Sequence, residues 1–346
     1  MANTLEWLAY RASQGLRISW YFGQKWLSAR LTSEMPAPPE LKERMPDRAR
    51  ILADLRALLE QDWRNIEEGH YRLPEDAVAL RPLDALRKAG LFFSDLPRVD
   101  KRRRSEAHQE VLQAAPPGRY PRYYLQNFHY QTDGYLSRHS AELYDHQVEV
   151  LFGGGADAMR RQALVPLARI LGERGVRGAR LLDLACGTGR FLREVKSNYP
   201  KLAVTALDLS PYYLDLARAV LKPWSGTGFV EASAEAVPAA DASFDVVTAI
   251  FLFHELPAQA RQRVAAEAAR LLRPGGAVIF VDSIQLGDVP DYDPLVEYFP
   301  QAVHEPYYAG YAREDLAGLF AAAGLALEES RVAYFSKIMT FRKAGS

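Results

Sequence analysis

Cysteine is almost missing from this chain, which has a single one, Cys186, among 346 residues. One cysteine excludes an internal disulfide framework and a cysteine-rich metal or iron–sulfur site, and it fits a reducing compartment such as the cytoplasm. His139 and His146 lie two helical turns apart, which is too far for one helix to present both to a metal ion. The sequence therefore predicts no metal site.

An excess of charge of either sign is also missing, because 43 basic residues balance 43 acidic ones. This balance gives no general attraction to nucleic acid or to an anionic membrane. No window approaches the roughly 18 uncharged apolar residues of a membrane span. Glu6, Arg11 and Arg17 interrupt the first apolar residues, so we expect no signal peptide and a cytoplasmic location.

The most informative stretch runs from Arg180 to Leu192. Its first half is an apolar run with one acid, Asp183, which is typical of a buried strand. The chain then turns through Gly187-Thr188-Gly189 into a helical pattern. Glycines allow a ligand to approach the backbone, and the start of a helix offers free N–H groups. The stretch therefore predicts a nucleotide site on a strand, a glycine loop and a helix.

Two kinds of nucleotide site share this outline. A dinucleotide site requires a third glycine, at a position that Leu192 occupies here. The segment D-L-A-C-G-T-G-R-F instead resembles motif I of the class I S-adenosylmethionine (SAM) dependent methyltransferases. Further matches follow in order, and they are Asp208 after the second predicted strand, the segment 232–238 after the third, the segment 251–257 after the fourth, and the turn L-R-P-G-G at 272–276 before the fifth.

The resemblance covers about residues 120–343 and is strongest to the ubiquinone- and menaquinone-biosynthesis group of small-molecule methyltransferases. It implies an α/β fold with a Rossmann-like, seven-stranded, mostly parallel sheet and a closing antiparallel strand. We therefore divide the chain into an α-helical N-terminal region, 1–118, and a methyltransferase domain, 119–346. Four of the five tryptophans, Trp7, Trp20, Trp26 and Trp63, lie in the first region. Its first helix is expected to pack on the body of the protein, and contact with a membrane or a second copy is the alternative.

The resemblance also implies SAM as cofactor and S-adenosylhomocysteine as product. The residues expected to bind the cofactor are Asp183, Ala185, Gly187, Gly189, Asp208, Leu209, Ser233, Ala234, Phe251 and Tyr144. Asp208 follows the second strand, where an acid can accept both ribose hydroxyls. Ser233 stands where the family usually has an aspartate that contacts adenine.

Two tyrosine-rich segments flank the predicted core, one at 120–144 and one at 291–311, and they hold 11 of the 18 tyrosines. They are expected to form the acceptor side, with Tyr130, His129, Tyr307 and Tyr308 contacting the substrate. His254, at the end of the fourth strand, and His304 are the catalytic candidates, because a histidine titrates near neutral pH. The alternative is that these side chains only pack the layers together.

The predicted reaction transfers the methyl group of SAM to an oxygen, carbon, sulfur or nitrogen atom of a small molecule. No nucleic-acid partner is expected, and a homodimer through the N-terminal helices is left open. Two other functions remain possible at this point. One is a non-catalytic SAM-binding module that serves a partner, and the other is a nicotinamide-dependent oxidoreductase.

Overall fold

The computed structural model describes residues 4–33, 36–75 and 82–345. Seven strands form one sheet in the order β3-β2-β1-β4-β5-β7-β6. They are, in chain order, β1 Arg180–Leu184, β2 Ala203–Asp208, β3 Thr227–Glu231, β4 Phe244–Ile250, β5 Leu272–Ser283, β6 Leu325–Ala333 and β7 Ser336–Lys343. β1 to β5 pair in parallel, and β7 runs antiparallel to both β5 and β6. The predicted fold class and the position of the seventh strand are confirmed.

Helices cover both faces of the sheet and form the N-terminal region. They are α1 Thr4–Leu31, α2 Pro39–Lys42, α3 Arg48–Glu67, α4 Pro82–Arg104, α5 Glu110–Ala114, α6 Arg138–Leu151, α7 Ala156–Arg161, α8 Leu164–Arg174, α9 Arg190–Asn198, α10 Pro211–Leu221, α11 Ala258–Leu271, α12 Asp293–Ala302, α13 Tyr308–Tyr311 and α14 Leu316–Ala322. Short 3₁₀ turns lie at Arg122–Tyr124, Phe128–Tyr130, Phe253–Glu255 and Pro290–Tyr292.

Several helices begin at a side chain that caps their first free N–H groups. Asp47 accepts a hydrogen bond from Arg50 N at the start of α3, and Ser137 accepts one from Ser140 N at the start of α6. Ser210 does the same for α10, with Pro211 in the first helical position, where a missing N–H costs nothing. The sequence signals for these starts are local, which is why they are visible without the structure.

The predicted boundaries differ from the observed ones in two places. The sequence predicts one helix over 156–174, but the structure has α7 and α8, with Pro166 in the first turn of the second helix. Proline is tolerated there because the first N–H groups of a helix have no internal partner. The sequence predicts a short helix from Pro82 to Lys88, but α4 continues through Pro97 to Arg104.

The N-terminal helices are joined to the core by a buried ionic contact. Asp62 on α3 receives two hydrogen bonds from the Arg161 guanidinium, at 2.9 and 2.6 Å. The hydroxyls of Tyr10 and Tyr71 donate to the same carboxylate, at 2.6 and 2.7 Å. All four side chains are buried. Since the oxygens of the Asp62 carboxylate accept all four of these hydrogen bonds, the Asp62–Arg161 ion pair fixes the position of α1 and α3 on the core.

The first helix packs on the body through one face only. Tyr10, Gln14 and Gln24 are buried, and Arg17 reaches Asp157 at 2.7 Å. The opposite face exposes large apolar side chains, namely Leu5, Leu8, Leu16, Trp20, Trp26, Leu27 and Leu31. Any contact of this helix with a membrane or a second copy would form on that face. None of the described helices has the length of unbroken apolar sequence that crossing a bilayer requires.

Candidate functional site

The loop 185–189 between β1 and α9, the nucleotide loop, lies where the strand order reverses between β1 and β4. Gly187 has a φ of 56° and its missing Cβ leaves open space on the cleft side, so a ligand can reach the backbone. A Cβ on Gly189 would lie 3.1 Å from the Cα of Ala217, so this glycine allows α9 and α10 to pack closely. Thr188 donates to the Asp145 carboxylate of α6 at 2.9 Å, which ties the loop to the segment before the core.

Asp208 ends β2 and faces the same loop. Its two carboxylate oxygens accept hydrogen bonds from Gly187 N and Ser210 N, both at 2.8 Å. Burial raises the pKa of Asp208 to about 6, although these backbone N–H groups act in the opposite direction. A buried carboxylate with oxygens still able to accept is suited to a sugar diol.

Asp183 lies behind the cleft rather than on its wall. The sheet register places it beside Thr248, whose hydroxyl donates to its carboxylate at 2.6 Å. Burial raises the pKa of Asp183 to about 7. Asp183 therefore joins β1 to β4 beneath the site, and its predicted contact with the cofactor stays a prediction.

A cleft of about 810 Å³, counted to its open mouth, extends along the carboxyl ends of β1, β2 and β4. Eight of the ten residues predicted to bind the cofactor line it: Ala185, Gly187, Asp208, Leu209, Ser233, Ala234, Phe251 and Tyr144. Asp183 and Gly189 do not line it. The structure thus brings the predicted set together, with two members in the supporting layer.

Three tyrosines cover the cleft, and we call Tyr135, Tyr144 and Tyr213 the tyrosine layer. Tyr135 and Tyr213 are buried, and Tyr144 is half-buried. Their rings meet edge to face, with centroids 5.5 to 6.1 Å apart. Burial is the main cause that raises the pKa of each hydroxyl, so all three stay protonated at neutral pH. The layer thus offers neutral, electron-rich rings to a cation. Of the three, only Tyr144 was singled out from the sequence.

A group of buried and half-buried ionisable side chains lies at one end of the tyrosine layer. This polar cluster consists of His129, His254, Glu255, Asp282 and Glu305, and Glu255 also lines the cleft. The Tyr135 hydroxyl donates to Glu255 Oε1. Asp282, at the end of β5, lies 2.5 Å from His254 Nδ1. The cluster therefore continues the cleft on the side away from Asp208.

The two histidines of the polar cluster are held by different acids. Burial disfavours the cation of His254, but the charge and hydrogen bond of Asp282 outweigh it and raise its pKa to about 10. A protonated ring cannot accept a proton, so His254 as the base stays a prediction. Burial also opposes the cation of His129, and Glu305, 2.6 Å from its Nε2, raises that pKa. The pKa of Glu255 is raised mainly by its burial and, to a smaller extent, by the negative charge of Glu305.

The remaining acceptor-side candidates lie where the two tyrosine-rich segments meet. We call residues 120–137 the first flap and 290–311 the second flap. Tyr308 contacts the edge of the His254 ring, with centroids 6.1 Å apart. Tyr307 accepts a hydrogen bond from Gln126 at 3.0 Å. Both tyrosines therefore lie beside the cleft, although neither lines it.

His304 and Tyr130 lie farther from the cleft. The His304 ring stacks on His108 at 4.1 Å, contacts Tyr130, and has its Nε2 2.8 Å from Gln126 Oε1. Burial lowers its pKa to about 4, so it is neutral. The His304 carbonyl also accepts a hydrogen bond from His129 N, which links the flaps. Its position favours packing over chemistry, and its catalytic role stays a prediction.

Comparison with known proteins gives three kinds of match. A family model described as a methyltransferase domain matches residues 181–276. A malonyl-[acyl-carrier protein] O-methyltransferase of Methylococcus capsulatus is 33% identical over 134 residues, or 36% of this chain and 48% of that protein. The ubiquinone/menaquinone biosynthesis C-methyltransferase UbiE of Methylobacterium nodulans is 33% identical over 152 residues, or 43% of this chain and 58% of that protein. The chain thus spans about half the length of these relatives.

One relative is covered more fully. The O-methyltransferase rstn1 of Aspergillus nomiae is 30% identical over 168 residues, which is 47% of this chain and 72% of that protein. Among solved structures, a 1,6-didemethyltoxoflavin-N1-methyltransferase of Burkholderia thailandensis, with bound 1,6-didemethyltoxoflavin and S-adenosylhomocysteine, is 21% identical. It covers 58% of this chain and 89% of that one, with a TM-score of 0.41.

Proposed function

Because the chain belongs to the class I SAM-dependent methyltransferases, enzymes whose cofactor is SAM, we propose that it methylates a small molecule inside the cleft described above. The nucleophilic atom of the acceptor attacks the methyl carbon in line with the bond to sulfur. A bond forms between that atom and the methyl carbon, the S–CH₃ bond breaks, and its electron pair stays on the sulfur of S-adenosylhomocysteine. The proton of the acceptor leaves to a base or to water.

In this proposal SAM lies against the residues around the nucleotide loop and the end of β2, which we call the cofactor wall. Asp208 accepts the ribose hydroxyls, the backbone of Gly187 lies against the methionine part, and Ser233 and Ala234 contact adenine beside Leu209. This places the sulfonium near the tyrosine layer, whose rings attract a cation by roughly 0.5 to 2 kcal/mol. A desolvated aromatic wall also keeps water away from the reactive methyl group.

The acceptor occupies the end of the cleft that the two flaps close. One arrangement supports this placement: Glu255 and the tyrosine layer line the same cleft as the nucleotide loop, and the polar cluster continues beyond Glu255. An acceptor there would meet the methyl group from the side away from sulfur. Alignment at short range is the main contribution that the protein makes to such a displacement.

The experiment has two stages. Calorimetry with SAM and with S-adenosylhomocysteine measures the cofactor site, with Asp208→Asn as the variant expected to lose affinity and the exposed Asp215→Asn as its control. Product release is then followed by mass spectrometry over phenols, carboxylic acids, thiols, amines and activated carbon acids. Absence of SAM binding would overturn the assignment. Binding without turnover on any acceptor would favour the non-catalytic module.

A further inference from the structure

Three residues of the polar cluster come from segments far apart in the chain. His129 belongs to the first flap, Glu255 follows β4, and Glu305 belongs to the second flap. One potential ligand atom of each lies within 4.8 Å of those of the other two. We propose that these three side chains bind a divalent transition-metal ion. Sequence spacing could not reveal such a site, because no two ligands share a helix or a strand.

Glu305 gives the strongest reason for an additional cation. The residue is 1% exposed. Its Oε1 is 2.6 Å from His129 Nε2 but off the N–H axis, and neither oxygen accepts a well-formed hydrogen bond from any of the described residues. A buried carboxylate without aligned donors is costly, because it has lost its hydration without replacement. A metal ion bound by both groups, in place of the proton between them, would satisfy both the oxygen and the imidazole lone pair.

The charges of the polar cluster support the same conclusion. Three acids, Glu255, Asp282 and Glu305, face two imidazoles, with Asp282 and Glu305 buried, and Asp282 already holds His254. With both imidazoles protonated the group still has one negative charge in excess. A divalent ion bound by the neutral imidazole of His129 and by the carboxylates of Glu255 and Glu305 has two positive charges. These balance the two negative charges of the carboxylates.

The type of ligand narrows the choice of ion. One imidazole nitrogen and two carboxylate oxygens suit Zn²⁺, Mn²⁺ or Fe²⁺ better than the thiolate-binding metals. Three protein ligands leave at least one coordination position open, as in catalytic sites. Since Glu255 also lines the cleft, an ion bound by it would lie at the acceptor end.

This location suggests a substrate class, an inference that rests on the proposed function. A hydroxyl or enol oxygen of the acceptor would bind the open position and lose its proton to water more easily, because the ion stabilises the oxyanion. That oxygen would then attack the methyl carbon, and the S–CH₃ bond would break as described above. The acceptor atom would accordingly be oxygen.

Metal binding can be measured without any acceptor. Protein stripped with a chelator is titrated with Mn²⁺, followed by electron paramagnetic resonance, and with Zn²⁺, followed by calorimetry. We expect one ion per chain, with the affinity lowered at least about tenfold in Glu305→Gln and in His129→Asn. Asparagine suits position 129 because the backbone there has a φ of 54°. The exposed Glu67→Gln on α3 should bind the ion as the unaltered protein does.

SAM affinity and the melting temperature of each variant identify those that fail to fold. If neither ion binds the unaltered protein at one equivalent, or if binding persists in a folded Glu305→Gln, the proposed site is overturned. SAM titration of the same samples tests the cofactor site separately. Failure of the metal proposal therefore cannot be confused with failure of the proposed function.

Discussion

The two walls of the cleft are built in different ways. The cofactor wall consists of strand ends and backbone groups, with Gly187 N and Ser210 N holding Asp208. The acceptor wall consists of side chains from the two flaps and from the ends of β4 and β5, where Phe253 N and Ser283 N hold Asp282, while His129 and Glu305 contact each other through their side chains. A wall built on the sheet is positioned by the fold itself. A wall built from side chains on loops can change its chemistry without changing the fold.

If the walls act separately, a change on the acceptor wall should leave cofactor binding intact. We expect His254→Ala to lower turnover roughly 100-fold, a typical contribution of an acid–base or orienting group, and to leave SAM affinity within about twofold. Steady-state kinetics with an active acceptor and calorimetry with SAM measure the two effects. His304→Ala should have a smaller effect, because its ring lies among Gln126, His108 and Tyr130. Equal loss of turnover and SAM affinity in His254→Ala would make it structural.

A change on the cofactor wall should weaken SAM binding directly. Asp208→Ala is expected to weaken SAM by about 1 to 3 kcal/mol, since a charged hydrogen-bond partner of the ribose is lost. Calorimetric titration measures this directly. The exposed Asp215→Ala on α10 serves as the control. An unchanged affinity for SAM in Asp208→Ala would remove Asp208 from the ribose site.

The pH dependence of SAM binding to the unaltered protein also tests the role of Asp208. The pKa of Asp208 is raised to about 6 in the free protein, and ribose hydroxyls that donate to the carboxylate would lower it in the complex. Below about pH 6 the free protein therefore takes up a proton that SAM must displace. The affinity should fall by at most about tenfold per pH unit as the pH drops. Titrations between pH 5 and pH 8 should show this slope, and Asp208→Asn should flatten it.

The smallest expected effect concerns the tyrosine layer, which lies between the cofactor wall and the acceptor wall. Tyr144→Leu removes one ring from the tyrosine layer and should weaken SAM by about 0.5 to 1 kcal/mol. S-adenosylhomocysteine has no positive sulfur, so its affinity should change less. Parallel titrations with both ligands give the difference. Equal losses for the two ligands would indicate packing rather than attraction of the sulfonium.

The cofactor wall was largely predictable from the sequence because its signals are local. The strand acid, the glycine loop and Asp208 lie within 183–208, and eight of ten predicted residues meet in the cleft. Asp183 and Gly189 were identified, but the position of the Asp183 side chain depends on Thr248, and the need for a glycine at 189 depends on Ala217; both partners belong to other elements. The exact packing partner of a residue is decided by tertiary structure and leaves no local signal.

The acceptor wall was predicted only in outline. The flaps were expected from their tyrosines, and His129, His254 and Tyr308 do lie near one another. Glu255 and Asp282 were not singled out, because an acid after a strand has many ordinary uses. Asp282 contacts His254, and Glu305 contacts His129, only because the fold brings distant parts of the chain together. The division at residue 118 and the homodimer stay predictions.

The buried pair of Asp62 and Arg161 also limits how this protein can be divided or recombined. A fragment that began at residue 119 would retain Arg161 and lose both Asp62 and Tyr10, leaving a guanidinium inside the core without its counterion. A chimera that joined these N-terminal helices to the core of a relative would need an arginine at the position of Arg161, so that Asp62 keeps its partner. The N-terminal helices and this core therefore have to be exchanged together if the buried pair is to stay intact.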